Sequence, residues 1–169
     1  MEPPEVDTPE DLPQVPGVKN AAVRKLLHEL GITELKPEQF HYITRLHYWA
    51  ADTVTHGPNS PWGEHEIDYV LLAVVPRNSI TLQPHPDEVD ATAWVSQSKL
   101  ETMLADTKLL FSPWFRIIYH KWLKDWWTHL ETTLAAPPDV TTIHRFDPPL
   151  EHLGGAGKAQ PQFTKGDAR

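Results

Sequence analysis

Glu66-Ile67-Asp68-Tyr69-Val70-Leu71-Leu72-Ala73-Val74-Val75 is the stretch on which the fold turns. It is continuously apolar after Asp68, and Pro76 ends it. A short run without polar alternation predicts a strand buried on both faces, as in a sheet covered by helices. Upstream, residues 40–49 alternate instead. Phe40, Tyr42, Leu46 and Tyr48 fall on one face, which predicts a second strand. Further upstream, Val23, Leu26, Leu27 and Leu30 recur at helical spacing over residues 18–30, and Gly31 supplies a stop. Downstream, a short strand is expected near Ala91–Val95, followed by a helix opened by Ser98-Lys99-Leu100-Glu101 as a capping box and running to about Ala105. Ser112-Pro113 then opens a long helix whose apolar stripe is Phe115, Ile118, Tyr119, Trp122, Leu123, Trp126 and Leu130. Helix, strand, strand, strand, helix, helix is the order of an α/β layer structure with one sheet.

The ends differ from this middle. Residues 1–16 are rich in proline and acidic side chains and predict an extended, solvated lead-in. Residues 136–169 carry more prolines and the run Gly154-Gly155-Ala156-Gly157, and predict a disordered tail. The domain expected between them covers residues 17–135.

The chemistry is concentrated where the apolar strand begins, in Trp62-Gly63-Glu64-His65-Glu66-Ile67-Asp68-Tyr69. On a strand, Glu64, Glu66 and Asp68 share one face and His65 takes the other. Same-face neighbours stand roughly 7 Å apart. Like charges at that spacing, running into an apolar core, call for solvent or a cation to offset them. A divalent metal held by carboxylate oxygens with imidazole help answers that need. A solvated strand end answers it too, and is the commoner outcome for an isolated Glu-x-Glu. Here the carboxylates abut the most apolar strand of the chain, which favours a site.

Other residues carry weaker signals. Tyr48 closes the alternating strand, and a half-buried structural tyrosine is the plainer reading of it. Trp114 opens the long helix, either as a packing anchor or as an indole face for a transient cation. Lys25 and Glu29, four apart on the first helix, are either a surface ion pair or a diphosphate-binding lysine beside a magnesium-binding glutamate. His41, His47, His56 and His85 lack a dependable ligand spacing and are expected to be surface or structural.

Composition narrows the function classes. The formal net charge of -8 argues against nucleic acid or an anionic membrane as the main partner. The absence of cysteine excludes disulfides, thiolate catalysis and cysteine-bound zinc from these residues. No signal-peptide pattern opens the chain and no apolar stretch is long enough for a bilayer, so a cytoplasmic location is the expectation.

Four segments in colinear order carry a resemblance: Gly17 to Ile32, Thr44-Arg45-Leu46-His47-Tyr48, Trp62 to Tyr69, and Ser112-Pro113-Trp114-Phe115. Together they resemble type I isopentenyl-diphosphate isomerases, fungal ones in particular, over about residues 17–130. The resemblance implies a Nudix-like α/β/α sandwich, incomplete at the N-terminus. It also implies interconversion of isopentenyl and dimethylallyl diphosphate, by protonation on one alkene face and deprotonation on the other through a tertiary carbocation. By position, Glu64 and Glu66 correspond to carboxylate ligands of the site metal, a Zn2+, Mn2+ or Mg2+ ion. Glu66 is also the implied acid/base, Tyr48 its hydrogen-bonding neighbour, and Trp114 the indole facing the cation. Glu29 corresponds to the glutamate serving Mg2+ on the substrate diphosphate. Lys25 stands where an arginine is expected on the diphosphate, which keeps the charge and loses the two-pronged donor.

The family's second acid/base is a cysteine, and three histidines complete its metal shell; the 16 residues before the first helix supply none of these. Weak isomerase activity of this chain alone is therefore the expectation. Two further readings remain. Arg24, Leu26, Glu29, Gly31 and Ile32 fit a Nudix hydrolase pattern, although Lys25 and His28 replace acidic residues. A non-catalytic remnant pairing with a full-length homologue or a second copy is the other, with the tryptophan-rich helix as an interface.

Overall fold

The structure is a computed structural model, and it describes residues 7–51, 56–57, 59–106, 108–109 and 111–145. Helix α1 spans Pro16–Leu30. Asp7 sits at its N-terminus, where the carboxylate accepts the backbone N–H groups of Gly17 at 2.6 Å and Val18 at 2.9 Å. Negative charge there also suits the helix dipole. Part of the stretch expected as a solvated lead-in thus caps the first helix; residues 1–6 lie outside the described set. At the other end Gly31 takes a left-handed φ of 65°, and its N–H closes on the carbonyls of Leu26 and Leu27. That is the αL ending for which a glycine is suited.

Two long strands carry the site. Strand β1 is Phe40–Ala51 and β2 is Gly63–Ala73, paired antiparallel with a register shift between Tyr42 and Thr44. The even-numbered positions of β1 from Phe40 to Ala50 are buried, but they do not share one face as expected: the bulge switches the parity, so Phe40 and Tyr42 stand opposite Ala73 and Leu71, with Tyr42 against Tyr69, while Leu46, Tyr48 and Ala50 stand opposite Asp68, Glu66 and Glu64 on the other face. Strand β3, Ile143–Arg145, pairs parallel with Arg45, Leu46 and His47 of β1. The sheet order is β2-β1-β3. Residues 143–145 fall within the stretch expected as a tail; the remainder of that stretch, 146–169, lies outside the described residues. Arg45 fixes the approach to β3 by donating to the Val140 carbonyl at 2.7 Å.

Two strand expectations are corrected. β2 is not buried on both faces. It lies at the sheet edge, its first half is exposed, and its second half is only partly covered. Hydrophobicity reported a strand that enters the core, but among the described residues β2 pairs along one edge only, and Ile67 within it and Val74 just after it are exposed. Residues 91–95 form no strand; among the described residues no backbone pairs with them, and Trp94 lies under the Arg77 guanidinium at 5.5 Å.

Helix α2 spans Gln97–Ala105. Its cap is Ser96, whose side chain accepts from the Lys99 N–H, and not the expected Ser98. The long helix is present but is not uniform. α3, Pro113–Ile118, continues into a π-helical turn, Tyr119–Leu123, and then α4, Lys124–Thr128. His129 breaks it, and α5, Leu130–Ala135, follows. A π turn shifts the helical phase and rotates the apolar stripe. Just before it, Ile118 packs against Leu46, Tyr48 and Ala50 of β1, while the adjacent Tyr119, about 100° round the helix, packs against Leu100 and Leu104 of α2. One helix therefore joins two cores, one against the sheet and one against α2. No helix of the described residues is long and apolar enough to cross a membrane.

Candidate active site

The β1–β2 register sets the site. Leu46 stands opposite Asp68, Tyr48 opposite Glu66, and Ala50 opposite Glu64. All six side chains therefore belong to one sheet face. Tyr48 is 2% exposed. Its hydroxyl donates to the Glu64 carboxylate across the strand pair. Glu66 lies directly across from the tyrosine, and Asp68 one pleat deeper.

Close carboxylates and partial burial both disfavour ionisation. Burial raises the Glu64 pKa above the ordinary carboxylate range, and the Glu66 charge raises it further. Asp68 is pushed up to about 6, by burial first and then by Glu66 and Glu64. The face thus holds carboxyl groups that change protonation nearer neutrality than isolated ones. Such groups suit general acid/base work.

Trp114, on the first turn of α3, packs against the cluster of Leu46, Tyr48, Ala50 and Ile118. It meets Phe115 edge-on, with centroids 5.9 Å apart. The structure therefore brings Tyr48, Glu64, Glu66 and Trp114 together around one end of the sheet. Glu64 and Glu66 are themselves exposed, so that end of the face is open to water.

Lys25 and Glu29 are placed elsewhere, on α1, where they pair with each other at 2.5 Å. Glu29 raises the Lys25 pKa, and Glu88 adds to this from the following loop. That loop is tied to the helix end through His85 N–H to the Glu29 carbonyl and Gln83 N–H to the Leu30 carbonyl.

Carboxylate oxygens are the right donor type for Mg2+ or Mn2+. Among the described residues, however, no three His, Asp or Glu side chains are grouped to hold a metal ion. The described residues do not by themselves make a metal centre. A cleft of about 440 Å³ opens farther along the helix, beside Thr44, Trp122 and Trp126, and does not include the carboxylates.

Sequence reasoning passed over two features. Ser60 is 1% exposed, and its hydroxyl bridges the Trp62 N–H and carbonyl, which fixes the entry to β2. His47 and His65 meet across the strands, with Nε2 atoms 2.9 Å apart, on the face opposite Tyr48. Strand parity places both on that face once the register is known; the sequence alone does not give the register.

A NUDIX domain matches residues 13–115, more than half of the chain, and the chain belongs to that family. Within it the similarity is to isopentenyl-diphosphate isomerases. The chain is 39% identical over 133 residues to the isopentenyl-diphosphate delta-isomerase of Schizosaccharomyces pombe, covering 78% of this chain and 53% of that protein. It is 42% identical over 119 residues to the Candida albicans enzyme of the same name, covering 69% and 40%. It is 40% identical over 134 residues to isopentenyl-diphosphate Delta-isomerase 1 of Bos taurus, covering 76% and 55%. The chain spans about half the length of the curated relatives it matches.

Proposed function

We propose that this chain binds a five-carbon prenyl diphosphate and supplies the glutamate side of the isopentenyl–dimethylallyl diphosphate isomerisation. One observation carries the reading. The Tyr48 hydroxyl holds Glu64, Glu66 lies directly across the strand pair, and Trp114 packs on the same cluster, in a chain similar to isopentenyl-diphosphate isomerases.

The chemistry follows from these groups. Isomerisation adds a proton to one end of the alkene and removes one from the carbon on the other side. Glu66 is the group that exchanges a proton with substrate. Tyr48 positions the neighbouring Glu64 carboxylate and limits its freedom to move. The Trp114 indole offers an electron-rich face to the tertiary cation formed between the two proton transfers. Lys25, on α1 and apart from this cluster, is the cation that the family resemblance assigns to the diphosphate, and its present partner is Glu29. Mg2+ on that diphosphate enters as part of the substrate. The chain has no cysteine to serve the opposite alkene face. Turnover by the chain alone is therefore slow, while substrate binding is retained.

The test uses the purified chain with isopentenyl diphosphate and Mg2+. Binding is read by quenching of tryptophan fluorescence, and proton exchange by deuterium uptake from D2O in the allylic product. Saturable quenching is expected, lost in Trp114→Phe, with slow exchange that Glu66→Gln abolishes. Absence of binding at millimolar ligand refutes the reading. Release of phosphate or pyrophosphate from nucleoside diphosphate derivatives at a comparable rate replaces it with hydrolysis.

A further inference from the structure

The cleft of about 440 Å³ beside the long helix is separate from the Glu64–Glu66 end of the sheet. Its floor is Ile43 and Thr44 of β1. One wall is the helix, with Trp122, Asp125 and Trp126, and the other is the Pro137-Pro138-Asp139 stretch that leads to β3. The two indoles lie nearly parallel, tilted by 19° with centroids 6.3 Å apart. Among the described residues, Asp125 and Asp139 line the cleft and no lysine or arginine does. Asp139 is held ionised. Its Oδ1 accepts the N–H groups of Thr142 at 2.9 Å and Thr141 at 3.0 Å, and these bonds keep the carboxyl well below the usual carboxylate range. Its Oδ2 meets His144 Nε2 at 3.4 Å, and Asp125 meets His129 Nδ1 at 3.1 Å. At the floor Thr44 is 3% exposed, and its hydroxyl makes no hydrogen bond. A buried polar group is ordinarily satisfied.

We propose that this cleft binds a small organic ammonium ion with an apolar body, an aryl- or alkylamine. The lining selects the charge, since both of its acidic groups border the space and no fixed cation does. An anion would meet two like charges there, and a neutral ligand would gain apolar contact alone. The indoles select the body, and an indole face also attracts a cation. Trp122 already holds one in this way, with Lys121 Nζ 5.6 Å from a ring centroid, so the ligand is assigned to Trp126 beside Asp125. An ammonium N–H directed at the floor supplies the donor that the Thr44 hydroxyl lacks. The volume lies toward the lower end of the range for small-molecule pockets, which suits one ring with a short amine arm. The site takes no part in the prenyl reaction.

The test titrates benzylammonium into the full chain at pH 8, above the ordinary range of histidine, followed by calorimetry and by the indole N–H signals of its NMR spectrum. Saturable binding with a Kd on the order of 1 mM is expected for a ligand of this size. Shifts should appear at the Trp122 and Trp126 indoles and not at Trp114. Benzyl alcohol, neutral and of the same shape, should bind about fivefold more weakly, and benzoate should not bind. Asp139→Asn keeps the oxygen that the turn donors use and removes the charge; it and Asp125→Asn should each weaken binding about threefold. Benzyl alcohol or benzoate binding as tightly as the amine, an affinity unchanged in both asparagine variants, shifts at Trp114 in place of Trp122 and Trp126, or no saturation at tens of millimolar would each overturn the proposal. The comparison of the three ligands on the wild-type chain decides the matter even if a variant fails to fold.

Discussion

Asp68→Asn should stabilise this protein at neutral pH. In the fold the Asp68 carboxyl has its pKa moved from 3.8 to about 6, by burial and by the charges of Glu66 and Glu64. An acid with a raised pKa binds more protons folded than unfolded between those two values. Stability therefore falls as pH rises through that window, and the whole cost persists above it. A shift of this size corresponds to about 3 kcal/mol at full conversion. Asp68 is only half-buried and solvent screens the repulsion, so ~1–2 kcal/mol is the realistic cost. Asparagine keeps the shape of the neutral carboxyl and cannot ionise. Urea unfolding of both proteins in metal-free buffer from pH 4 to 7.5 measures the effect. The stability difference should grow with pH, reach ~1–2 kcal/mol near pH 7, and vanish toward pH 4. A difference that is flat with pH, or an asparagine variant less stable at pH 7.5, would refute the electrostatic account of this strand.

Two other substitutions probe the frame around it. Leu46 is completely buried between Tyr48 and the long helix, so Leu46→Ala should cost about 3 kcal/mol, read as a lower urea midpoint with unchanged slope. Gly31 has φ 65°, and a Cβ there would lie 2.5 Å from the Gln83 carbonyl oxygen. Gly31→Ala should therefore cost roughly 2 kcal/mol or more, seen as a clear fall in thermal midpoint; a neutral result would mean that the 83–85 loop moves freely away from α1.

What the sequence disclosed depended on whether the signal was local. The period of β1 is carried by its own residues, so its extended form and the shared face of Leu46 and Tyr48 could be assigned before any partner was known, whereas Phe40 and Tyr42 lie beyond a bulge that turns them to the other face and that no local period reports. α1 is equally local, with its stripe and its terminal glycine inside one segment. β2 was legible as a strand for the same reason, but its burial was not. Burial belongs to whatever lies on either side, and a run such as Val70 to Val75 reads the same at an edge as in the centre. The strand expected at 91–95 failed on the same point, since extended backbone becomes a strand only when another backbone is within reach. Strand β3 was hidden for the opposite reason. Ile143-His144-Arg145 is too short to show a period, and only the donation from Arg45 to Val140 and the pairing with β1 reveal it.

The candidate site divides along the same line. Glu64, Glu66 and Asp68 announce their shared face through parity alone. That Tyr48 stands against them, rather than a pleat away, depends on a register that the bulge between Tyr42 and Thr44 adjusts by one residue. A one-residue slip would turn one strand's side chains to the other face and carry Tyr48 away from the carboxylates. The bulge near the start of β1 is therefore part of what places Tyr48 at Glu64. A variant that removes one residue at Ile43 should lose the Tyr48–Glu64 contact while leaving both residues in place in the sequence.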